Sequence, residues 1–262
     1  MPAPLLATAL ERVRPLFPLI PYNLRMYLRA RTGYNRYDPD AQFALRQLVR
    51  PGDVVLDVGA NIGELTTVMS RLVGPAGRVY AFEANPACLP RLRRVLRLSR
   101  VRNAVVVHAA VGEQDERPIR LYSDDRPNTS FKMSSRSPDW LEETRPGRVF
   151  EVRSLTLDRF CERRGLRLAL AKIDVEGFER EVLIGFHRQL EQTRPHLLLE
   201  HRVRALGERD TPLHYVEALG YRIALPGPWR WLTADEFTAA DRFETCIVAV
   251  HSDRAAEAAW II

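Results

Sequence analysis

The chain contains 262 residues, 46% of them hydrophobic and 27% charged, and has a mass of 30.0 kDa. This balance is typical of a globular domain with its own core, and it excludes a disordered chain, a collagen-like chain and a disulfide scaffold. The formal charge of +6 invites a nucleic-acid partner, but all except two of the 39 cationic residues are arginines, as in a GC-rich genome. These arginines are scattered among acids apart from a cluster over residues 91–102, which we interpret as a solvated helix face. We therefore expect no nucleic-acid partner.

The three cysteines, Cys88, Cys161 and Cys246, lie far apart and form no CxxC pair. They are predicted to be reduced thiols in a cytoplasmic protein. No apolar run approaches the roughly 18 residues that span a bilayer, and the N-terminus lacks the pattern of a signal peptide. We expect no transmembrane segment and expect the N-terminal segment to pack on the domain, while contact with a membrane surface or a second chain stays open. The sequence indicates no oligomeric state.

In chain order, the predicted elements begin with a helical extension over residues 1–50, which ends before Pro51-Gly52. From residue 51 to residue 252, short apolar strands alternate with helices. Such alternation indicates a three-layer α/β domain whose sheet is buried on both faces. The predicted strands are VVLDV, RVYAFE, AVVVHAAV, LALAKIDV, HLLLEH, YRIAL and ETCIVAVHS, and the predicted helices cover residues 63–73, 86–98, 157–164, 178–192 and 212–219.

Two segments stand outside this alternation. Residues 122–150 are rich in polar and turn-forming residues. A stretch of that length in a compact domain is usually a lid, a binding loop or a disordered segment, and we predict a partly ordered substrate loop there. Residues 253–262 follow the last predicted strand and are expected to form a C-terminal tail.

The first predicted strand runs into the turn DVGANIG, residues 57–63, and then into a helix. In an open parallel sheet, ligands bind beyond the carboxyl ends of the strands, where this turn lies. Gly59 and Gly63 allow the backbone to approach a ligand closely, and Asn61 tolerates a positive φ. The turn is not the GxGxxG of dinucleotide-binding proteins. Instead, Asp57 precedes the first glycine, which suits a cationic ligand.

The second predicted strand ends at Glu83, 26 positions after Asp57. An acid at this strand tip can accept both hydroxyls of a ribose. Taken singly, Asp57 could cap the turn and Glu83 could be a solvated strand end. Together, in this order and spacing, they indicate an adenosine-bearing ligand.

The motifs DVGANIG, FEANP, VHAAVG, SLTLDRF, AKIDVEGFEREVLIG and LLLEH resemble the FkbM family of S-adenosylmethionine-dependent methyltransferases. The resemblance implies a Rossmann-like fold with a seven-stranded, mostly parallel sheet, whose terminal antiparallel strand would be ETCIVAVHS. It also implies methyl transfer from S-adenosylmethionine, typically to a hydroxyl of a sugar or another small metabolite. By position in the motifs it assigns the cofactor to Asp57, Gly59, Asn61, Gly63, Glu83 and, through the backbone beside the adenine, Ala110.

Four further residues are the candidates for catalysis. Alternation along the strand LALAKIDV places Lys172 and Asp174 on one side, with Asp174 at the carboxyl end. The next predicted strand ends at Glu200 and His201. Asp174, Glu200 and His201 could remove the acceptor's proton or bind a divalent ion such as Mg²⁺, which the motif does not demand. Lys172 could orient the carboxylate or steady a developing alkoxide.

Other interpretations of these residues stay open. Lys172 and Asp174 could form a buried salt bridge, and His201 could be a simple hydrogen-bonding residue at a strand end. Glu176 and Glu179 lie at a predicted helix entrance, where acids suit the positive end of the helix.

Two other function classes also stay open. One is a nicotinamide-dependent reductase, which the absence of GxGxxG disfavours. The other is a non-catalytic protein of the same fold that binds S-adenosylmethionine or another nucleotide. Tyr221, Trp229 and Trp231 could stack on a sugar or a macrocycle, or could pack under the last strands.

Overall fold

The computed structural model describes residues 38–124, 134–135, 146–201, 211–225, 229–238 and 245–262. The strands are β1 (Val54–Val58), β2 (Arg78–Glu83), β3 (Ala104–His108), β4 (Ala110–Val111), β5 (Pro118–Asp124), β6 (Ser134–Ser135), β7 (Pro146–Leu155), β8 (Leu170–Ile173), β9 (His196–His201), β10 (Tyr221–Leu225), β11 (Arg230–Leu232) and β12 (Thr245–His251). The helices are α1 (Pro39–Leu48), α2 (Glu64–Val73), α3 (Leu89–Leu98), α4 (Leu157–Glu162), α5 (Glu179–Ile184), α6 (His187–Gln192), α7 (Pro212–Ala218) and α8 (Ala234–Thr238), and a 3₁₀ helix covers Ser252–Ala258.

Eight strands form one sheet in the order β11-β10-β12-β9-β8-β1-β2-β3. β1 pairs in parallel with β2 and β8, and parallel pairing continues to β3 on one side and β9 on the other. β12 runs antiparallel to both β9 and β10. The predicted Rossmann-like α/β fold is confirmed, and ETCIVAVHS provides the antiparallel strand. The short strand β11 adds an eighth strand to the predicted seven.

The main sheet is buried on both faces, which explains why its parallel strands are nearly continuous apolar runs. One face carries α4 to α7 over a core that includes Leu56 and Val58. The other face carries α1 and α2 over a core that includes Val55 and Leu198. Because side chains alternate along β1, Asp57 lies on the α1–α2 face together with Val55.

A second, small sheet has the order β4-β7-β5-β6. Within it, β5 and β7 pair as an antiparallel hairpin, so both ends of the predicted substrate loop 122–150 are strands. Ile119, Leu121 and Val152 of this hairpin pack against Ala110. The middle of the loop, except for β6, lies outside the described residues. Ala84, directly after β2, packs against the same cluster, so the hairpin lies beside the segment that follows β2.

The predicted helix over residues 178–192 is two helices, α5 and α6. A Cβ on Gly185, between them, would lie 2.0 Å from the carbonyl oxygen of Gly112. The Asp158 carboxylate accepts hydrogen bonds from two backbone N–H groups in the first turn of α6. These two contacts accompany the break between α5 and α6, and both involve residues that are distant in the sequence. Local periodicity does not contain them, so it predicts one continuous helix.

The N-terminal extension contributes α1 to the domain. The Asp38 carboxylate accepts the N–H of Ala41 at 2.8 Å and so caps this helix. Leu45 is completely buried against the sheet. Residues 1–37 of the predicted extension 1–50 lie outside the described part of the chain.

The segment 253–262, predicted as a tail, packs on the domain. It continues the 3₁₀ helix, and Ile261 is buried. The backbone of Ile262 exchanges hydrogen bonds with those of Trp229 and Trp231, which ties the segment to β11.

In the described ranges, no helix combines the length and the apolar character that crossing a membrane requires. Cys88, Cys161 and Cys246 are free thiols.

Candidate functional site

A cleft of about 910 Å³, its open mouth included, lies at the carboxyl ends of β1, β2, β8 and β9. This is the edge of the sheet where the sequence predicts ligand binding. Apolar residues from the hairpin and the strands line part of it, and acids line the rest. The acids are Glu83, Asp174, Glu176 and Glu200.

The turn after β1 has the backbone conformations that its sequence predicts. Gly59 and Gly63 have φ values of 79° and 87°, and Asn61 has a φ of 50°. The Gly59 amide donates to the Phe82 carbonyl at 3.0 Å, which fixes the turn against β2. A Cβ on Gly59 would lie 1.7 Å from the Asp174 carbonyl oxygen. Only glycine therefore permits the two loops to approach this closely.

The cation next to Asp57 is Lys172 of the same chain rather than a ligand. Asp57 is 1% exposed, and the Thr66 hydroxyl donates to its Oδ2 at 2.5 Å. Its Oδ1 lies 3.5 Å from the Nζ of Lys172. The cleft lining does not include Asp57. Its influence on a ligand therefore passes through the turn that it supports, and Thr66, which no motif marks, shares that role.

Lys172 connects the turn after β1 with the end of β8. Its Nζ donates to the carbonyls of Gly59 at 2.9 Å and Val58 at 3.3 Å, and lies 3.1 Å from Oδ2 of Asp174. Burial opposes the charge of this side chain, but the carboxylates of Asp174 and Asp57 outweigh burial and raise the pKa of Lys172. Lys172 in β8 and Asp174 directly after that strand lie on the same side, as strand alternation predicts, and they form a salt bridge.

Glu83 lies at the tip of β2 and is 7% exposed. Its Oε2 accepts the N–H of Asn61 at 2.6 Å, and its Oε1 accepts the N–H of Asn85 at 2.7 Å. Burial raises the pKa of Glu83 to about 7, against the opposing effect of these two N–H donors. Each carboxylate oxygen has two lone pairs, so each keeps an acceptor position for a ligand hydroxyl.

The turn after β8 carries two of the acids that line the cleft, Asp174 and Glu176. Glu179 holds this turn, because its Oε1 accepts the N–H groups of Val175 and Gly177, each at 3.1 Å. Glu179 also begins α5, which is the position that the sequence predicts for an acid at a helix entrance. Glu176 lies in the preceding turn with a φ of 57°, a conformation that is uncommon for residues other than glycine.

A third acid, Glu200, joins this turn from β9. Oxygen atoms of Asp174, Glu176 and Glu200 all lie within 4.8 Å of one another. Such a set could hold a hard divalent cation, which prefers oxygen ligands. The predicted grouping of Asp174 with Glu200 is present, whereas the side chain of His201 lies outside the described residues. Strand alternation could not identify Glu176, because a turn positions it.

The apolar part of the cleft contains Ala109 and Ala110, together with Ile119 and Leu121 from the hairpin. Small and apolar side chains of this kind suit a flat ring. The sequence does not mark Ile119 and Leu121 for this role. They belong to β5 of the second sheet, outside the strand ends of the main sheet where a ligand site is expected.

The aromatic residues near the last strands pack within the domain. Tyr221 is 2% exposed, and its hydroxyl donates to the Leu190 carbonyl. Trp229 and Trp231 pack against the core on the α1–α2 face. These contacts agree with packing under the last strands rather than with stacking on an acceptor.

Residues 57–223 match the methyltransferase FkbM domain. The chain is 30% identical over 179 residues to the 31-O-demethyl-FK506 methyltransferase FkbM of Streptomyces tacrolimicus. The matched region covers 56% of this chain and 68% of that protein. It is also 32% identical over 105 residues to a protein-L-isoaspartate O-methyltransferase of Methanothrix thermoacetophila. That matched region covers 38% of this chain and 46% of the relative. Among solved structures, a methyltransferase FkbM from Methylobacillus flagellatus KT is 16% identical with a TM-score of 0.46; the match covers 87% of this chain, which spans 58% of that protein.

Proposed function

The chain belongs to the FkbM family of methyltransferases, and we propose that it methylates a hydroxyl of a sugar or another small metabolite. The observation that carries this proposal is the single cleft that contains Glu83, the turn after β1, Asp174 and Glu200. S-adenosylmethionine supplies a methyl sulfonium that is already reactive. The main task of the protein is then to hold donor and acceptor in line at short distance.

The cofactor fits the residues at the ends of β1 and β2. Gly59 and Asn61 of the turn after β1 line this part of the cleft, and Gly59 has no side chain to fill it. Gly63 is not among the lining residues; it packs against Leu92 of α3, so its part in cofactor binding would be to shape the turn. Glu83 keeps one acceptor position on each carboxylate oxygen, and we assign these two positions to the ribose hydroxyls. Ala110 and the neighbouring hairpin would face the adenine.

A small uncharged or cationic acceptor agrees with the charge of the cleft. The acids Glu83, Asp174, Glu176 and Glu200 line it, and their charge would oppose the phosphate backbone of a nucleic acid.

Removal of the acceptor's proton is assigned to Asp174, with Glu200 or His201. An alcohol is about as weak an acid as water, whose pKa is roughly 15.7, so a base or a metal ion must assist. Lys172 orients the Asp174 carboxylate through their contact at 3.1 Å. A divalent ion held by Asp174, Glu176 and Glu200 is the second way in which the same carboxylates could acidify the hydroxyl.

The cofactor assignment predicts that S-adenosylhomocysteine raises the Tm of the protein, whereas NAD(H) leaves it unchanged. A ligand that binds only the native state at 100 times its Kd stabilises that state by about 2.7 kcal/mol. Differential scanning fluorimetry with each ligand at millimolar concentration measures both responses. If S-adenosylhomocysteine produced no shift, the cofactor assignment would be wrong.

Incubation with labelled S-adenosylmethionine and a panel of hydroxylated sugars and macrocycles separates the remaining function classes. Transfer of label to an acceptor supports the methyltransferase, and binding without transfer supports a non-catalytic binding protein. Oxidation of NADPH in a parallel reaction would instead indicate a reductase.

We expect the affinity for S-adenosylhomocysteine to rise as the pH increases through about 7, the pKa to which burial raises Glu83. Ribose hydroxyls donate to the charged carboxylate, so deprotonation favours binding. Glu83→Ala should weaken binding by about 1.5–3 kcal/mol per lost charge-assisted contact. Isothermal titration calorimetry between pH 5.5 and 8.5 tests both statements. Glu83→Gln should remove the pH dependence, and Glu116→Gln, an exposed acid outside the cleft, is the control.

Whereas ligand affinity should rise with pH, the free energy of unfolding of the ligand-free protein should fall. Burial raises the folded-state pKa of Glu83 from 4.5 to about 7, so protonated Glu83 stabilises the fold. This stabilisation is complete below pH 4.5 and is lost as the pH rises to about 7. Unchanged affinity in Glu83→Ala would show that the acid only supports the loops after β1 and β2.

We also propose that the protein works in the cytoplasm of a bacterium. Its three cysteines are free thiols, as in a reducing compartment. The preference for arginine over lysine is that of a GC-rich genome.

A further inference from the structure

α3 presents a basic surface that the proposed methyl transfer does not use. The inner side of this helix is apolar, with Leu92, Val95 and Leu96 buried. Its outer side is rich in arginine, and two more arginines follow in the turn towards β3. We name the six exposed residues the arginine face: Arg91, Arg93, Arg94, Arg97, Arg100 and Arg102.

Nothing nearby in the sequence balances this charge, since residues 84–112 contain no Asp or Glu. In the part of the chain that the structure describes, Arg93, Arg94 and Arg97 form no ion pair. Arginines at i, i+3 and i+4 on one helix repel one another. An external anionic surface could therefore neutralise the charges of Arg93, Arg94 and Arg97.

Some other exposed arginines pair with acids: Arg188 with Glu162 at 2.9 Å, and Arg153 with Glu116 at 3.1 Å. Arg120, Arg163 and Arg167 are exposed as well, but acids lie close to them in the sequence. What distinguishes the arginine face is that no Asp or Glu occurs over residues 84–112.

Two details distinguish the C-terminal end of the arginine face. Arg100 has a φ of 57° at a position after the helix where glycine is the usual residue. Leu98 is 37% exposed, and it lies one helical turn after Arg94 on the same side of α3. An exposed leucine therefore lies among the cationic side chains.

We propose that the arginine face binds the surface of an anionic lipid bilayer. Arginines near such a surface contribute roughly fivefold in affinity each, and Leu98 can enter the interfacial region. A single-stranded nucleic acid fits less well, since residues 84–112 contain no Phe, Tyr or Trp on which bases could stack. α3 packs on a face of the sheet, whereas the cleft opens at the strand ends, so docking leaves the cleft free.

Vesicle co-sedimentation tests the proposal with the full chain. The probes are vesicles of 30% phosphatidylglycerol in phosphatidylcholine and vesicles of phosphatidylcholine alone. The variant Arg93→Gln/Arg94→Gln/Arg97→Gln is expected to lose about 100-fold in affinity for the anionic vesicles. The control Arg120→Gln/Arg163→Gln/Arg167→Gln removes the same charge from other exposed positions and is expected to lose less than about threefold.

Each outcome decides for or against the proposal. Strong binding to anionic but not neutral vesicles, lost only in the α3 variant, supports it. Equal losses in both variants would indicate attraction by net charge alone and overturn it. Binding of a 20-nucleotide poly(U) through the same arginines, without vesicle binding, would assign the face to a nucleic acid instead. A cooperative thermal transition near the Tm of the unsubstituted protein verifies that both variants are folded.

Discussion

Asp174→Asn is expected to lower turnover by about 10²–10⁴, the usual contribution of general acid–base catalysis. The substitution keeps the shape of the side chain and its capacity for hydrogen bonds, but it removes the charge that accepts a proton or binds a metal ion. Cofactor affinity should change by less than roughly tenfold, because Glu83 and the turn after β1 carry that interaction. Single-turnover transfer of a labelled methyl group and calorimetry with S-adenosylhomocysteine measure the two quantities separately.

The matched control for this prediction is Asp253→Asn, an exposed carboxylate that is not among the residues lining the cleft. Incubation with EDTA distinguishes the two forms of the mechanism. Inhibition that Mg²⁺ reverses indicates a metal ion on the three carboxylates, and insensitivity indicates a direct base. Near-normal turnover of Asp174→Asn would restrict the carboxylate to its structural contact with Lys172.

Lys172→Met is expected to cost about 3–5 kcal/mol of the free energy of unfolding, the typical effect of removing one partner of a buried ion pair. The ammonium lies within 3.5 Å of Asp57 and Asp174 and also satisfies two backbone carbonyls. Asp57, which is 1% exposed, would be left with a buried and uncompensated charge. Since domains are stable by only about 5–15 kcal/mol, urea unfolding will detect such a loss readily.

The double variant Asp57→Asn/Lys172→Met removes both charges and should recover part of the lost stability. A deficit below about 1 kcal/mol at neutral pH would contradict the role of Lys172 as the central link of this network.

The fold could be predicted from the sequence where the signal is local. Parallel strands buried on both faces are continuous apolar runs, and turns with glycine separate them from helices. β11 was not predictable in this way, because three residues carry no usable period. The break between α5 and α6 depends on Gly112 and Asp158, which are distant in sequence.

The site shows the same division. The positions of Asp57, Glu83 and Asp174 at strand ends follow from the motifs, and Lys172 follows from alternation along β8. The side chains that hold the loops could not be predicted in this way, because they or their partners lie in turns and helices. Thr66 reaches Asp57 from α2, and Glu179 reaches back to the turn after β8. The Thr66–Asp57 contact depends on the packing of α2 against β1. Glu179 contacts residues only two and four positions before it, but these contacts depend on the conformation of a turn, which no strand or helix period describes.

The contact between Gly59 and Asp174 makes the two loops a single mechanical unit. The Asp174 N–H donates to the Val58 carbonyl at 3.1 Å, and Lys172 joins the Gly59 carbonyl to the Asp174 carboxylate, so a shift of one loop is transmitted to the other. Evolution or engineering therefore cannot adjust donor binding and the placement of the reactive carboxylate independently. Changes in acceptor range are more readily accommodated on the opposite wall, where Ile119 and Leu121 belong to a separate sheet. That wall can be remodelled while the reaction centre keeps its geometry.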